Sequence, residues 1–289
     1  MYLTGFADEA AADIDGQIRA TKELGWSRIE MCNVDGVNLH DLPDDKFEEV
    51  YGKLADAGIE INCFGSAIAN WSKSILRPYD DDLASAKRAV ARMKRLGTKF
   101  IRIMSYPPIA DKPMEEQMAE ERFRRLREIC APFLDAGLQP LHENCMNYGG
   151  QGWKYTLQML DAVPGLKLVF DTGNPVNTLD RDRPGQRQSA WEFYDHVRDH
   201  VVYVHIKDGV VDAEGKLTWC WCGEGQGDVR RIVADLLKNG YDGGFSMEPH
   251  MAVVAHDASV TSEADIRFAN YVEYGRRFEK ILASCRANG

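Results

Sequence analysis

Eight short apolar runs alternate with segments of helical character along almost the whole chain, and this alternation limits the fold more than any single motif. A glycine follows most of the helical segments, as Gly25, Gly58, Gly97 and Gly137 do, and glycine is the usual residue just past a helix end. Parallel strands need such crossover helices, and their C-terminal ends then lie on one side of the sheet. Eight successive strand–helix units therefore predict an α/β protein with a single (β/α)8 TIM barrel.

The eight predicted strands are short and mostly apolar. They are Tyr2–Ala7, Arg28–Met31, Ile59–Phe64, Lys99–Met104, Leu138–Asn144, Leu166–Asp171, Val201–Asp208 and Gly244–Pro249. The predicted helices are Ala11–Leu24, Pro43–Ala57, Asp81–Leu96, Met114–Ala136, Trp153–Val163, Ala190–Arg198, a helix that starts near Val229 and ends at Gly240, and Ser262–Cys285.

We expect one barrel domain over residues 1–289, since this length only slightly exceeds the roughly 250 residues of a typical barrel. The extra residues are expected as insertions after the sixth and seventh strands. The first is an irregular segment at Asn174–Gln188, and the second is a hairpin at Gly209–Trp221.

The composition excludes several classes of function. A formal net charge of −10 disfavours a nucleic-acid-binding surface, and the chain has no polybasic patch for an anionic membrane. No apolar run approaches the roughly 18 residues needed to span a bilayer, and the first residues lack the basic and apolar regions of a signal peptide. The seven cysteines are scattered, so we expect free thiols in a reducing cytoplasm.

Four residues that can bind a metal stand at or near the C-terminal ends of the last four predicted strands: Glu143, Asp171, His205 and Glu248. Intervals of 28, 34 and 43 residues separate them, and each interval fits one strand–helix unit, some with an insertion. Catalytic groups of a barrel come from the C-terminal ends of several strands, so we expect these four side chains to converge.

Such a cluster needs a cation. Two carboxylates about 4 Å apart repel each other by roughly 4 kcal/mol at an effective dielectric constant near 20, and a divalent ion turns that repulsion into binding. Three oxygen donors and one imidazole suit Mn²⁺, Mg²⁺, Co²⁺ or Fe²⁺ better than a closed Zn²⁺ site. The sequence leaves the choice among these metals open.

The segments around these residues carry a family resemblance. They are His-Glu-Asn at 142–144, Phe-Asp-Thr-Gly-Asn at 170–174, Val-His-Ile-Lys-Asp at 204–208, Gly-Glu-Gly-Gln-Gly-Asp-Val at 223–229 and Met-Glu-Pro-His at 247–250. In these segments the sequence resembles the sugar phosphate isomerase/epimerase family, whose xylose-isomerase-like barrels include ketose 3-epimerases and inosose-processing enzymes. The N-terminal half matches only in its alternation of strands and helices.

The resemblance implies one divalent metal ion with Glu143, Asp171, His205 and Glu248 as its ligands. It also implies removal of a proton next to a carbonyl, with an enediolate intermediate. In the ketose 3-epimerases two glutamates flank the sugar, and these roles would fall to Glu143 and Glu248, with Lys207 as a cationic partner for substrate oxygens.

Five further residues are candidates for substrate contact. Many relatives place a histidine at the position of Asn174, so the hydroxyl pattern recognised, or the reaction itself, is open here. His250 follows the last strand on the pocket side if that strand continues. Glu30 and Arg102 stand near the ends of the second and fourth strands, where each either faces the pocket or forms a buried ion pair. Trp71, in the third loop, either covers a sugar face or packs within its loop.

The favoured function is a metal-dependent isomerase or epimerase acting on a ketose, keto-sugar or cyclitol. The alternative is a metal-dependent lyase or dehydratase that uses the same site on a keto-sugar or inosose. A DNA-repair endonuclease of this barrel type needs more histidines and a basic surface, and a non-catalytic sugar-binding protein would not need all four ligands.

The expected partner is therefore a small carbohydrate, with neither nucleic acid nor membrane. No clear arginine or lysine clamp for a phosphate is visible, and the glycines at 223–227 are interpreted as a loop that lets the next helix begin. A free sugar or cyclitol is favoured on this ground. Relatives are commonly dimers or tetramers, and the sequence leaves a homo-oligomer open.

Overall fold

The computed structural model describes residues 1–252 and 262–287, and its centre is a sheet of eight parallel strands. The strands are Tyr2–Gly5 (β1), Arg28–Met31 (β2), Glu60–Gly65 (β3), Phe100–Ile103 (β4), Gln139–Glu143 (β5), Lys167–Asp171 (β6), Val201–Ile206 (β7) and Gly244–Met247 (β8). β1 pairs with β8, and the ladder then runs through successive strands from β8 back to β2. A parallel bridge between Phe6 and Glu30 brings the two ends together, so the sheet forms the predicted, nearly closed (β/α)8 barrel.

Helices connect the strands and pack against the outside of the barrel. They are Ile14–Glu23 (α1), Asp44–Ala57 (α2), Asp80–Leu96 (α3), Ala119–Asp135 (α4), Trp153–Ala162 (α5), Asn174–Asn177 (α6), Ala190–Val197 (α7), Val229–Lys238 (α8) and Ala264–Ala287 (α9). Apolar residues on their inner faces join the outward side chains of the strands in one large core. This arrangement leaves the inside of the barrel to a separate set of residues.

Two helices begin later than the sequence predicts, for local reasons. The Asp13 side chain accepts a hydrogen bond from the backbone N–H of Gly16 at 2.8 Å and so caps α1, which starts at Ile14. Before α4, Met118 has a φ of 55°, a left-handed conformation that interrupts the helix. The preceding Met114–Glu116 therefore forms a separate 3₁₀ turn.

Irregular segments follow several strands at the C-terminal side of the barrel. After β6, α6 leads into a loop closed by an antiparallel bridge between Leu179 and Arg187. After β7, Gly209–Val211 pairs with Leu217–Trp219 in the predicted hairpin. A smaller hairpin at residues 33–38 follows β2 and was not predicted, because two-residue strands carry too little alternation to be recognised.

The inside of the barrel is layered. Its middle is a small buried apolar cluster of Cys63, Leu141, Val169 and Tyr203. Three members of this cluster stand two residues before Glu143, Asp171 and His205, so by strand alternation they lie directly beneath those side chains. The polar residues at the C-terminal ends of the strands therefore lie on a packed apolar layer.

Within residues 1–252 and 262–287, no helix is both long enough and apolar enough to cross a membrane. All seven cysteines are free thiols, as predicted, and five of them are buried.

Candidate metal centre

The four predicted strand-end residues meet at the C-terminal end of the barrel. One ligand atom from each of Glu143, Asp171, His205 and Glu248 lies within 4.8 Å of the others. All four side chains are buried, and those of Asp171 and His205 are completely so. Buried carboxylates this close together are unfavourable unless a cation or a proton neutralises them. The cluster therefore has the composition and spacing of a site for a divalent cation.

The position of Asp171 is fixed by backbone and amide contacts. The Asn144 side chain accepts a hydrogen bond from the Asp171 backbone N–H at 2.7 Å and donates one to its carbonyl oxygen at 3.0 Å. The carboxylate Oδ1 accepts hydrogen bonds from the backbone N–H groups of Gly173 at 2.8 Å and Asn174 at 2.6 Å. Because Oδ1 is occupied in this way, Oδ2 is the oxygen available to a cation.

His205 is oriented by a buried carboxylate behind it. Its Nε2 lies 3.1 Å from Glu30 Oε2, and the same oxygen accepts a hydrogen bond from the Tyr203 hydroxyl at 2.8 Å. Nδ1 then faces Glu143 Oε1 at 3.4 Å and Glu248 Oε2 at 3.7 Å. A carboxylate on one imidazole nitrogen commonly directs the other nitrogen at a metal, so Nδ1 is the candidate ligand atom. Glu30 is completely buried here, beside the imidazole, and it does not line the cavity next to the candidate ligands.

The donor set fits a divalent cation. No residue of 1–252 or 262–287 makes a hydrogen bond of good geometry with Asp171 Oδ2, His205 Nδ1 or Glu248 Oε2, although all three atoms are buried. Lys207 Nζ lies 3.3 Å from Asp171 Oδ2 and 3.1 Å from Glu248 Oε2 as an ion-pair partner. Leaving a buried acceptor without a donor costs about 1–3 kcal/mol, and an ion bound between these atoms would remove that cost.

Burial and the neighbouring charges together control the protonation of the cluster. Burial, reinforced by Glu248 and Glu143, raises the pKa of Asp171 to about 7. Although burial opposes a charge on His205, Glu30 and Glu143 raise the pKa of its imidazole to about 10. Protons on these groups compete with a metal for the same atoms, so metal binding is expected to release protons.

Cations next to the two glutamates keep both ionised. Although burial opposes it, Arg102 and then His205 lower the pKa of Glu143 to about 2, and Arg102 Nη1 lies 3.0 Å from Glu143 Oε2. Lys207 similarly holds the pKa of Glu248 well below its usual range, again against the effect of burial. Both side chains are therefore carboxylates at neutral pH, as a metal ligand or a general base must be.

A small cavity lies beside the four candidate ligands. Four of the residues predicted to contact substrate line it, namely Trp71, Arg102, Asn174 and Lys207. It is also lined by Cys145, Met146, Asn177 and Trp219, which the sequence did not single out. Trp219 belongs to the hairpin after β7, and its ring centre lies 5.1 Å from Lys207 Nζ. No sequence signal reveals which way a short hairpin folds, so this aromatic wall could not be predicted.

Asn174 takes a specific position next to Glu143. Its side-chain Nδ2 donates a hydrogen bond to Glu143 Oε1 at 2.9 Å, while Arg102 donates to Oε2 at 3.0 Å. The asparagine thus holds the glutamate directly. Both oxygens of Glu143 accept a hydrogen bond as a result.

His250 lies between two carboxylates rather than on the wall of this cavity. Its Nδ1 is 2.9 Å from Glu9 Oε1 and its Nε2 is 3.1 Å from Glu248 Oε1. The His250 backbone N–H donates to Glu9 Oε2 at 2.8 Å, and the residue has a φ of 55°. His250 therefore contacts Glu248 directly and does not line the cavity. The sequence analysis missed Glu9, because this residue follows the first strand, in a 3₁₀ turn at Ala7–Glu9 that no motif marks.

The glycine-rich loop at 223–227 does bind an anion, and the anion is a side chain of the protein itself. The backbone N–H groups of Gly223, Gly225 and Gly227 donate to the Asp208 carboxylate at 2.8–3.0 Å, and that of Gly209 donates at 3.0 Å. This loop leads into α8, which begins at Val229. The contacts tie the end of β7 to the start of the following helix, so they fix the segment that carries Lys207.

Similarity to known proteins agrees with this geometry. A family model described as xylose isomerase-like TIM barrel matches residues 18–269, which include all four candidate ligands. The chain belongs to this family. The family resemblance inferred from the sequence is therefore confirmed. A search of curated proteins found no significant match.

Solved structures of other xylose isomerase-like proteins superpose on nearly the whole chain. A xylose isomerase-like TIM barrel protein from Mycobacterium smegmatis in complex with magnesium is 20% identical, with a TM-score of 0.67 and coverage of 99% of this chain and 97% of that one. D-psicose 3-epimerase from Clostridium cellulolyticum, solved with D-tagatose, is 16% identical, with a TM-score of 0.69 and coverage of 98% and 99%. The probable 3-DHS dehydratase AsbF from Bacillus anthracis is 17% identical, with a TM-score of 0.67 and coverage of 94% and 97%. At these identities the similarity establishes a shared fold.

Proposed function

We propose that this protein is a divalent-metal-dependent sugar isomerase or epimerase that removes a proton next to a carbonyl group. The observation that carries the proposal is the convergence of Glu143, Asp171, His205 and Glu248 around one point, beside a cavity that Lys207 also lines. The substrate would be a ketose, a keto-sugar or a cyclitol, because such molecules offer a carbonyl with a neighbouring hydroxyl to the site.

Each part of the site has a distinct task in this chemistry. A bound divalent ion would supply a Lewis acid that polarises the carbonyl and acidifies the neighbouring C–H bond. Lys207 would stabilise negative charge that develops on a substrate oxygen. Glu248 is the better candidate for removing the proton, since its Oε2 accepts no hydrogen bond of good geometry from the described residues. In an epimerisation the proton removed from the substrate would stay on Glu248, and a proton from water would pass through Glu143 to the opposite face.

One observation favours a lyase as the second candidate. Asn174 and Arg102 donate hydrogen bonds to the two oxygens of Glu143, so Glu143 can accept a proton only if one of these bonds is broken. An elimination needs only one base for the C–H proton, which Glu248 can supply. The same site would then act as a metal-dependent lyase or dehydratase on a keto-sugar or inosose.

The similar structures support an enzyme of one of these two classes. They include D-psicose 3-epimerase, solved with D-tagatose, and a probable 3-DHS dehydratase. The magnesium in the Mycobacterium smegmatis protein supports a divalent ion as the cofactor.

The decisive experiment is ¹H NMR in D₂O with metal-stripped protein reloaded with Mg²⁺, against ketoses, inososes and 3-keto-sugars. An isomerase or epimerase is expected to incorporate deuterium next to the carbonyl without loss of water from the substrate. A lyase is expected to give vinylic signals or dehydrated products. Absence of exchange with every substrate, together with no retained metal, would refute the proposal.

Two matched variants separate the roles of the glutamates. Glu248→Gln keeps the size of the side chain but removes the base, so we expect the exchange rate to fall by at least about 100-fold. Glu143→Gln should abolish epimerisation. Because Glu143 is also a candidate metal ligand, the metal content of the variant is measured alongside, and C–H exchange that persists with metal bound would favour a lyase that uses Glu248 alone. Glu60→Gln, an exposed residue on β3, serves as the control and should leave the rate unchanged.

A further inference from the structure

A second cavity lies on the outside of the barrel, away from the candidate metal centre. Its volume is about 280 Å³, and it is bounded by the start of α5, the loop after α6 and the start of α7. None of its lining residues also lines the cavity beside the four candidate ligands. The proposed chemistry at the metal centre makes no use of this cavity.

The first sign of a ligand is an unsatisfied amide oxygen in the wall. Gln188 lines the cavity and is 8% exposed. Its Nε2 donates a hydrogen bond to the carbonyl oxygen of Gly150 at 3.1 Å, which fixes the orientation of the amide. Its buried Oε1 accepts no hydrogen bond from any residue in the described ranges 1–252 and 262–287. A buried carbonyl of this kind normally has a donor, and here a ligand hydroxyl can provide it.

The charges around the cavity leave one cation available. Lys154 is paired with Asp182 at 2.5 Å, and Arg183 is paired with both Asp180 and Glu192 at 2.6 Å. Arg181 has no carboxylate partner among the residues that the structure describes, and its Nε donates instead to the neutral amide of Gln151 at 2.9 Å. A guanidinium has five N–H donors, so Arg181 keeps donors for an acidic group.

The start of α5 offers further N–H donors at the same place. The helix begins at Trp153 after Gly152, no side chain caps it, and its first turn contains no acidic residue. Uncapped backbone N–H groups at a helix N-terminus favour an anion. Trp153 and Lys154, the first two residues of the helix, both line the cavity.

The remaining walls are aromatic. Trp153, Tyr155 and Phe193 line the cavity, and such rings pack well against a flat or ring-shaped body. The volume is slightly below the roughly 300 Å³ at which pockets for drug-sized ligands begin, so the ligand must be small.

We propose that this cavity is a second binding site, for a small ring-shaped organic acid that carries a hydroxyl group. The acid group would bind Arg181 and the α5 N-terminus, the hydroxyl would donate to Gln188 Oε1, and the ring would pack against Trp153 and Tyr155. The loop between α6 and α7 forms one wall of this site, and α6, which precedes that loop, begins at Asn174, the residue that donates to Glu143. A ligand here therefore lies against the loop that follows α6.

The test is isothermal titration calorimetry of the Mg²⁺-supplied full chain with 4-hydroxybenzoate, benzoate and methyl 4-hydroxybenzoate. We expect 4-hydroxybenzoate to bind at least ten-fold more tightly than the uncharged ester, because the ester lacks the acid group. Benzoate should bind more weakly than 4-hydroxybenzoate, because it offers no donor to Gln188. Absence of saturable binding of 4-hydroxybenzoate would overturn the proposal.

Variants locate the binding. Arg181→Gln, at an exposed position where folding is not at risk, should weaken the binding of 4-hydroxybenzoate at least ten-fold. Gln188→Leu should bind 4-hydroxybenzoate no more tightly than benzoate. Arg276→Gln, an exposed arginine that pairs with Glu23, is the control and should bind as the unmodified protein does. Glu143→Gln should also retain binding. Loss of binding in Glu143→Gln, or unchanged binding in Arg181→Gln, would place the probe elsewhere and refute the site.

Discussion

At the scale of single residues, the candidate metal centre depends on side chains that would not touch a metal themselves. Asn144 holds the backbone of Asp171, and the backbone turn after Asp171 binds its Oδ1, so that Oδ2 is left for a cation. Glu30 lies against Nε2 of His205, so that Nδ1 is left for the same cation. These supporting contacts are as specific as the ligand set. Removing one of them should therefore weaken metal binding while the four ligands stay in place.

Glu30→Gln tests this expectation. The amide keeps the size of the side chain but loses the negative charge behind His205 Nε2, so the imidazole is a poorer and less well-oriented ligand. We expect the affinity for Mn²⁺ to fall by about 10- to 100-fold, measured by calorimetric titration of metal-stripped protein. Glu60→Gln, which removes an exposed carboxylate paired with Arg28, should bind Mn²⁺ as before. An unchanged affinity in Glu30→Gln would mean that His205 does not bind the metal.

At the scale of elements, sequence patterns predict the features that occur once in each strand–helix unit. The apolar runs place the eight strands to within a few residues, and the ligand positions follow because each comes at the end of one unit. Contacts between distant segments have no such signal. Glu9 meets His250 across 241 positions, and the carboxylate that fills the glycine-rich loop belongs to Asp208, 15 residues before that loop begins. Only the folded chain brings these groups together.

Two glycine-to-alanine substitutions, one in the loop around Asp208 and one in α2, test how tightly that loop is packed. A Cβ atom at Gly225 would lie 2.5 Å from the carbonyl oxygen of Gly209 and closer still to the Asp208 carboxylate, so Gly225→Ala should destabilise the protein by about 1–3 kcal/mol. Gly52, inside α2, has no atom within 4 Å of its Cβ position. Gly52→Ala should therefore stabilise the protein by about 1 kcal/mol through its better helix propensity. Urea unfolding measures both, and equal effects would contradict this account of the loop.

At the scale of the whole molecule, stability and chemistry occupy different parts of the barrel. The apolar layer inside the strands and the core outside them hold the fold together, while the charged groups converge at the C-terminal ends. Buried titratable groups outside the site nevertheless couple the stability of the fold to pH. The buried His40, in the turn before α2, is one such group.

Burial lowers the pKa of His40 to about 4, against 6.5 for an ordinary histidine. Between these two values the unfolded chain binds more protons than the folded protein, so protonation favours unfolding. The contribution of His40 is present in full above pH 6.5 and is lost as the pH falls towards 4, by about 3 kcal/mol in total.

His40→Asn removes this titration. The free energy of unfolding should therefore fall less steeply between pH 6.5 and 4 in the variant than in the unmodified protein. The two slopes should differ by up to about 1.4 kcal/mol per pH unit. Urea unfolding followed by circular dichroism at half-unit steps of pH gives both slopes. His200→Asn changes a histidine that is only half-buried, and it should leave the slope as it is. Parallel curves for His40→Asn and the unmodified protein would show that His40 can be protonated without unfolding, and that another buried group sets the acid limit of the fold.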